Sequence, residues 1–186
     1  MILFIDACVR SDSRTQRLAQ ALLEHLGGTF ETIRLEKVDF PITNEAFLHH
    51  RDELIAGGRF DDSMFDMGRQ FASADTIVIA APYWDMSFPA SLKQYVEQIN
   101  VVGLTFEYLP NGTPKGLCKA TRLYYVTTGG GNVCPEDFGY GYIEALSHSF
   151  YGISETKLIS AYGLDIYGND PEAIISKAIN DIELNL

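Results

Sequence analysis

The sequence has few basic residues and no long apolar run. It carries 14 Lys and Arg against 25 Asp and Glu among 186 residues, a net charge of -11, which disfavours binding to nucleic acid and to anionic membrane surfaces. Its longest apolar runs, such as TIVIAAPYW, are far shorter than the roughly 20 residues that cross a bilayer. Its first residues, MILFIDACVR, include no basic leader. We therefore expect a cytoplasmic protein with no membrane and no nucleic-acid partner.

Cysteine and histidine are also scarce. Cys8, Cys118 and Cys134 are odd in number, widely spaced and form no C-x-x-C pair, so they predict neither a disulfide framework nor a zinc site. None of the four histidines forms a ligand pattern with a neighbouring carboxylate. We expect no metal.

Two glycine-rich phosphate motifs are absent as well. The chain contains neither G-x-G-x-x-G nor G-x-x-x-x-G-K-[ST], which disfavours a Rossmann dinucleotide fold and a P-loop NTPase.

Five short stretches rich in branched and aromatic residues are present, and segments of helical periodicity separate them. The stretches are MILFIDA, TFETIRL, TIVIAA, RLYYVTT and TKLISAYG. This alternation predicts one α/β domain over residues 1–186, with a doubly wound five-stranded parallel sheet, helices on both faces and the strand order 2-1-3-4-5. Ligands of such sheets bind beyond the carboxyl ends of the strands, where the order reverses. The loops after Ala7, Ala81 and Thr127 therefore form the expected site.

Helix boundaries follow from capping residues. SRTQRLAQALLEHL has one apolar face and stops at Gly27 and Gly28. ASLKQYVEQI repeats this periodicity, and Asp170 with Pro171 predicts the start of a C-terminal helix. The polar and aromatic segment 39–71 predicts two helices broken near its central glycines.

The first loop, DACVRSDSRT, fits two chemistries. Its cationic and hydroxyl residues, together with the free amides of the following helix, predict an anion site. These residues are Arg10, Ser13, Arg14 and Thr15. Cys8 followed by five residues and Arg14 also matches the C-x5-R-[ST] loop of a low-molecular-weight tyrosine phosphatase, with the cysteine as nucleophile. That loop needs inward amides around a dianion, whereas this one has no glycine and contains Asp12.

The second and third loops indicate a flat ligand. The second begins at a proline and presents a large apolar cluster, which suits an aromatic ring but is also typical of a buried turn. Its residues are Pro82, Tyr83, Trp84, Asp85 and Met86. In the third loop, successive glycines allow close approach of a ligand and inward amides, although simple flexibility is the alternative. Its residues are Thr127, Thr128, Gly129, Gly130 and Gly131.

These motifs, in this order, resemble the flavodoxin-like FMN-dependent quinone reductases and NADH azoreductases along nearly the whole chain. SRT resembles the phosphate loop of that family, and PYWDMSFPASLKQYVEQI resembles its Pro-Met-Tyr-Asn-Phe loop with the Leu-Lys helix that follows. GLTFEY resembles its Gly-Val-Thr-Phe stretch, and TTGGG its Thr-Ser-Arg-Gly-Gly loop.

The resemblance implies a flavodoxin-like fold, FMN as cofactor and NADH or NADPH as co-substrate. It further implies two-electron transfer to a quinone, azo or nitro aromatic acceptor in ping-pong order, within a homodimer. FMN carries this chemistry, so no side chain is expected to act as a general acid or base. The FMN-binding residues implied are Arg10, Ser13, Arg14, Thr15, Pro82, Tyr83, Trp84, Asp85, Met86, Thr127, Thr128, Gly129, Gly130 and Gly131.

Three positions depart from the family pattern. Asp85 replaces the usual Asn, Thr128 replaces Ser, and Gly129 stands where Arg often lies near the flavin pyrimidine. A positive charge that could favour the reduced flavin is therefore missing, and we expect the amides of Gly130 and Gly131 to replace it. A flavodoxin-type electron carrier without a substrate of its own remains the alternative, since an acidic surface suits docking on basic partners.

Overall fold

The computed structural model describes residues 1–185, and a five-stranded parallel sheet forms its centre. The strands of the chain are β1 (Ile2–Asp6), β2 (Phe30–Arg34), β3 (Thr76–Ala80), β4 (Phe106–Tyr108), β5 (Pro114–Gly116), β6 (Arg122–Thr128) and β7 (Glu155–Ala161). The sheet has the order β2-β1-β3-β6-β7 with every pair parallel. The predicted order is confirmed, and it reverses between β1 and β3.

Within residues 1–185, six α-helices connect and flank the strands. They are α1 (Arg14–Leu26), α2 (Glu45–Ala56), α3 (Asp66–Ser73), α4 (Ala90–Ile99), α5 (Tyr140–Leu146) and α6 (Pro171–Asn185), and α5 runs on into a π-helical turn over Ser147–Tyr151. The predicted caps are confirmed. The Asp170 carboxylate accepts hydrogen bonds from two amides in the first turn of α6, and Gly27 ends α1 with φ 65°, a conformation that favours glycine.

Each face of the sheet has its own hydrophobic core, because successive side chains of a strand point to opposite faces. Ile5 and Ile79 lie on one face, and Phe4 and Val78 on the other. Helices α3, α4 and α5 cover the first face with Phe71, Leu92, Tyr95, Val96, Ile99 and Ile143. Helices α1 and α6 cover the second with Leu18, Leu22, Leu23, Ile175 and Ile182. The central strands β1, β3 and β6 are therefore buried on both sides, whereas most of β2 is exposed. The carboxyl edge of the strands is left for a ligand.

The antiparallel hairpin of β4 and β5 is a feature that the sequence pattern did not predict. Its two strands have three residues each, too few to show alternation. Gly116 packs against the π-helical turn so closely that a Cβ atom there would overlap the backbone of Tyr151 and Gly152. This contact fixes the hairpin to the body of the protein.

Within residues 1–185, no helix combines the length and the hydropathy needed to cross a membrane.

Candidate ligand-binding site

A cavity of about 540 Å³ opens at the carboxyl ends of β1, β3 and β6. This is the edge at which the strand order reverses, so the cavity lies where doubly wound sheets bind ligands. Its lining consists of Val9, Arg10, Asp12, Ser13, Arg14, Thr15, Arg17, Pro82, Tyr83, Trp84, Thr128, Gly129, Gly130, Leu164, Asp165 and Glu172.

Most of the predicted site residues are brought together here. All four predicted residues of the first loop line the cavity, as do Pro82, Tyr83 and Trp84 of the second loop and Thr128, Gly129 and Gly130 of the third. The other four predicted residues are adjacent in sequence but lie outside the lining. They are Asp85, Met86, Thr127 and Gly131.

The start of α1 supplies the polar end of the cavity. The Ser13 side chain accepts a hydrogen bond from the Gln16 amide, 3.3 Å away, and so caps the helix. The amides of Arg14 and Thr15, in the same first turn of the helix, have no intrahelical acceptor and carry the positive end of the helix dipole. This end of the cavity is suited to an anion.

Two arginines of α1 are held by ion pairs at the border of the cavity. Arg14 donates from Nη2 to Asp165 Oδ1 at 2.8 Å and from Nη1 to the Leu164 carbonyl at 3.3 Å. Arg17 makes a two-point contact with the carboxylate of Glu172, at 2.8 and 3.1 Å. Both partners follow β7 in the chain, so these pairs tie α1 to the loop after β7 and to the first turn of α6.

The second loop contains a tight turn between Trp84 and Ser87. These two residues exchange backbone hydrogen bonds of 3.1 and 2.7 Å. Asp85 and Met86 between them both have positive φ, 50° and 65°, as a type I′ turn requires. A residue with a side chain adopts this conformation at a cost of about 1 kcal/mol. Trp84, which lines the cavity, and Met86, which does not, are both exposed.

The third loop is joined to the segment after β7. The carbonyls of its three glycines accept hydrogen bonds from the amides of Leu164, Asp165 and Gly163. The Gly129 amide donates to Ala161 at 3.0 Å and so extends the pairing of β6 with β7. Within residues 1–185, the amides of Gly130 and Gly131 donate no hydrogen bond, so they remain for a ligand.

Two of the three glycines have neighbouring side chains in the space that a Cβ atom would occupy. A Cβ atom on Gly129 would lie 2.8 Å from the Cys134 sulfur, and one on Gly130 would overlap the Asp165 carboxylate. A Cβ atom on Gly131 would have no neighbour nearer than 4.0 Å. Close approach of protein groups therefore explains Gly129 and Gly130, whereas Gly131 has no such constraint.

Cys8 lies beneath the first loop and belongs to the hydrophobic core on the α1 side of the sheet. Its side chain is buried, and this burial raises the pKa of the thiol to about 12. A cysteine nucleophile has to be a thiolate near neutral pH and accessible to its substrate. The structure thus argues against the phosphatase interpretation of the first loop.

Comparison with known proteins identifies the family. A family model described as flavodoxin-like fold matches residues 1–186. The chain belongs to this flavodoxin-like family. The resemblance inferred from the motifs is confirmed.

Curated members of the family are similar over almost their entire length. The FMN-dependent NADH:quinone oxidoreductase 2 of Clostridium acetobutylicum is 33% identical over 192 residues, covering 96% of this chain and 94% of the relative. The FMN-dependent NADH:quinone oxidoreductase of Clostridium beijerinckii is 30% identical over 188 residues, with 96% and 94% covered.

Solved structures share the flavodoxin-like fold. The azoreductase from Bacillus anthracis strain Sterne superposes with a TM-score of 0.83 at 22% identity, covering 97% of this chain and 95% of that one. The FMN-dependent NADH-azoreductase from Bacillus anthracis strain Ames Ancestor, in complex with FMN, has a TM-score of 0.80 at 23% identity, with 98% and 95% covered.

Sequence reasoning missed part of the cavity of this flavodoxin-like protein. Leu164 and Asp165 form a fourth loop, after β7, and Glu172 lies in the first turn of α6. No motif marks them. The predicted topology could have indicated them, because β7 is parallel to β6 and the loop after β7 therefore lies at the same edge of the sheet. Arg17 was detectable as the residue one helical turn after Arg14, on the same face of α1.

Proposed function

We propose that this protein is an FMN-dependent oxidoreductase that transfers two electrons from NADH or NADPH to a quinone or azo acceptor. The observation that carries the proposal is the cavity at the reversal of strand order, which joins an anion-binding end to aromatic side chains. The name of the relative that is 33% identical over 96% of this chain, FMN-dependent NADH:quinone oxidoreductase 2, supports the same reaction.

The residues of the cavity fit FMN. At the polar end, Arg10 and Arg14 supply positive charge, and the α1 amides and the Thr15 hydroxyl supply hydrogen-bond donors for a phosphate. At the other end, Tyr83 and Trp84 supply flat apolar surface for the ring system. The amides of Gly130 and Gly131, which donate no hydrogen bond within residues 1–185, are available to a ligand. We propose that the loop positions outside the lining, Asp85, Met86, Thr127 and Gly131, complete the site.

The chemistry that FMN supplies when bound is the two-electron transfer from the nicotinamide to the acceptor. The task of the protein is to bind and orient the partners. The amides of Gly130 and Gly131 stabilise negative charge on the ring edge, where Gly129 leaves no arginine to do so. Met86 and the part of Trp84 that the ring system leaves uncovered would present apolar surface to the nicotinamide and, after the nicotinamide has left, to the acceptor. Binding in this sequence would be a ping-pong order.

The acceptor class follows from the same surface. A quinone, an azo compound or a nitro aromatic has a flat ring that can stack on the exposed part of Trp84. We further propose that the protein acts as a homodimer in the cytoplasm. Exposed apolar side chains near the cavity, including Met86, Val133 and Phe138, support an interface there, since such patches mark association surfaces.

The decisive experiment loads the purified protein with FMN and removes the excess. We expect the retained protein to show the visible absorption of oxidised flavin, and to oxidise NADH or NADPH in steady state when a quinone is added. Free FMN at the same concentration is the control for uncatalysed oxidation. A protein that takes up no FMN refutes the proposal. FMN retention without turnover of any acceptor indicates the electron carrier instead.

A further inference from the structure

Asp165 is the point at which three segments around the cavity meet. Its amide donates a 3.0 Å hydrogen bond to the Gly130 carbonyl. Its carboxylate lies over Gly130, in the space that a Cβ atom there would occupy. The same carboxylate accepts the 2.8 Å hydrogen bond from Arg14. One residue thus links the third loop to the start of α1.

The guanidinium of Arg14 is fixed in its plane by this arrangement. Nη2 contacts the Asp165 carboxylate and Nη1 contacts the neighbouring carbonyl of Leu164. Two contacts to one loop define both the position and the plane of the group. Nε and the remaining Nη hydrogens are left to donate, and a planar guanidinium can bind phosphate through two parallel hydrogen bonds.

Global stability does not explain the ion pair. The side chain of Asp165 is 65% exposed and that of Arg14 is 33% exposed. Ion pairs as exposed as this contribute little to the free energy of unfolding. The carboxylate is also costly for anion binding in general, since it carries negative charge at the border of the anion end. The ion pair must therefore contribute to the geometry of the cavity and not to the stability of the whole protein.

We propose that Asp165 is the positioning residue of the phosphate anchor: it holds Arg14 in the orientation that binds the phosphate of FMN. This inference rests on the proposed function, because it takes FMN as the ligand. A long arginine side chain that is ordered before binding loses less conformational entropy when the phosphate arrives. Asp165 acts through Arg14 and needs no contact with the ligand.

The test compares the affinities for FMN and for riboflavin, which has the same ring and no phosphate. We expect Asp165→Ala to weaken FMN binding about three- to tenfold, the factor that corresponds to ordering one long side chain. Riboflavin binding should not change. Asp165→Asn keeps an oxygen that can accept from Arg14 and should restore most of the FMN affinity. Quenching of flavin fluorescence gives both dissociation constants.

Glu172→Ala is the matched control for charge. It removes one carboxylate from the same cavity border, but Glu172 holds Arg17 and makes no contact with Arg14. If Asp165 acted only by repelling the phosphate, both alanine variants would bind FMN more tightly than the wild type. Tighter binding by Asp165→Ala overturns the proposal, and so does an equal loss of affinity for riboflavin.

A second test measures the effect of Asp165→Ala on FMN affinity in a protein that also carries Arg14→Ala. In that background Asp165 has nothing to position, so adding Asp165→Ala should cause no further loss of FMN affinity. An unchanged effect of Asp165→Ala in the Arg14→Ala protein overturns the proposal. Failure of the proposed function is distinguishable, because the wild type would then bind neither FMN nor riboflavin.

Discussion

The side-chain oxygens of Thr15 and Thr128 lie 2.6 Å apart at the base of the cavity, although 113 positions separate the two residues in the chain. Both side chains are buried. One hydroxyl donates to the other, so the hydrogen of the accepting hydroxyl is left for a second acceptor. The pair therefore connects the start of α1 to the end of β6 and presents a hydroxyl to the cavity that both residues line.

Replacing Thr15 by valine should lower the free energy of unfolding by about 1–3 kcal/mol, because the buried hydroxyl of Thr128 loses its partner. Urea unfolding measures the change. Thr15→Ser keeps the hydroxyl and is the control, with a smaller expected loss. A valine variant as stable as the wild type would show that the hydrogen bond contributes nothing.

Replacing Cys8 by serine should leave NADH oxidation with a quinone acceptor unchanged. The side chain belongs to the core below the first loop, and the proposed reaction makes no use of a thiol. Steady-state kinetics of the FMN-loaded variant give the comparison. The opposite finding would be release of nitrophenol from nitrophenyl phosphate by the wild type and its loss in Cys8→Ser, which would restore the phosphatase interpretation.

The free energy of unfolding should decrease in alkaline solution, in part because of Cys8. Burial raises the pKa of its thiol from 9.0 to about 12, so the unfolded chain loses this proton at lower pH than the folded protein does. The contribution of the protonated Cys8 thiol to the free energy of unfolding is complete below pH 9 and is lost as the pH rises from 9 towards 12. The slope due to one thiol is at most about 1.4 kcal/mol per pH unit.

Urea unfolding at a series of pH values measures this slope. Cys8→Ala removes the titrating group and should flatten the curve relative to the wild type. Identical slopes for the two proteins would assign the alkaline loss to other groups.

Alanine substitutions in the glycine triplet should differ sharply in their effect. Gly130→Ala places a methyl group against the Asp165 carboxylate and should destabilise the protein by about 1–3 kcal/mol. Gly131→Ala, where the space is open, should have a melting temperature close to that of the wild type. Thermal unfolding of both variants tests this contrast. Equal melting temperatures would mean that the loop adjusts without cost.

Replacing Met86 by glycine should increase the free energy of unfolding by about 1 kcal/mol, because glycine adopts the positive φ of this turn without strain. Met86 is 51% exposed, so little packing is lost. Met86→Ala keeps the strained conformation and should bring no such gain. Chemical denaturation compares the two variants, and a glycine variant no more stable than the alanine one would contradict the account.

The sheet and its binding edge were predictable because they depend on periodicity and on topology. Five short strands rich in branched and aromatic residues alternate with helices, and this pattern is enough to place the loops after Ala7, Ala81 and Thr127 at one edge. The short strands of the hairpin gave no such signal. Its position depends on a contact between Gly116 and a distant turn, which no local pattern encodes.

The cavity was predictable only as far as its motifs extend. Arg14 was found from the loop that contains it, whereas its partner Asp165 lies 151 positions later in a segment with no distinctive spacing. The role of Cys8 could not be decided from the sequence either, because the same loop is compatible with a reactive thiol and with a buried one. The folded chain buries Cys8 in the hydrophobic core on the α1 side of the sheet. This burial excludes a reactive thiol, and it cannot be read from the loop sequence alone.

The cavity border combines three arginines, Arg10, Arg14 and Arg17, with three carboxylates, Asp12, Asp165 and Glu172. Their charges cancel, in a protein whose net charge is -11. A dianionic ligand is therefore not drawn in by a long-range field, and short-range hydrogen bonds have to recognise it. The net negative charge of the protein repels such a ligand at long range, and salt screens this repulsion, so the affinity should not fall steeply as ionic strength rises.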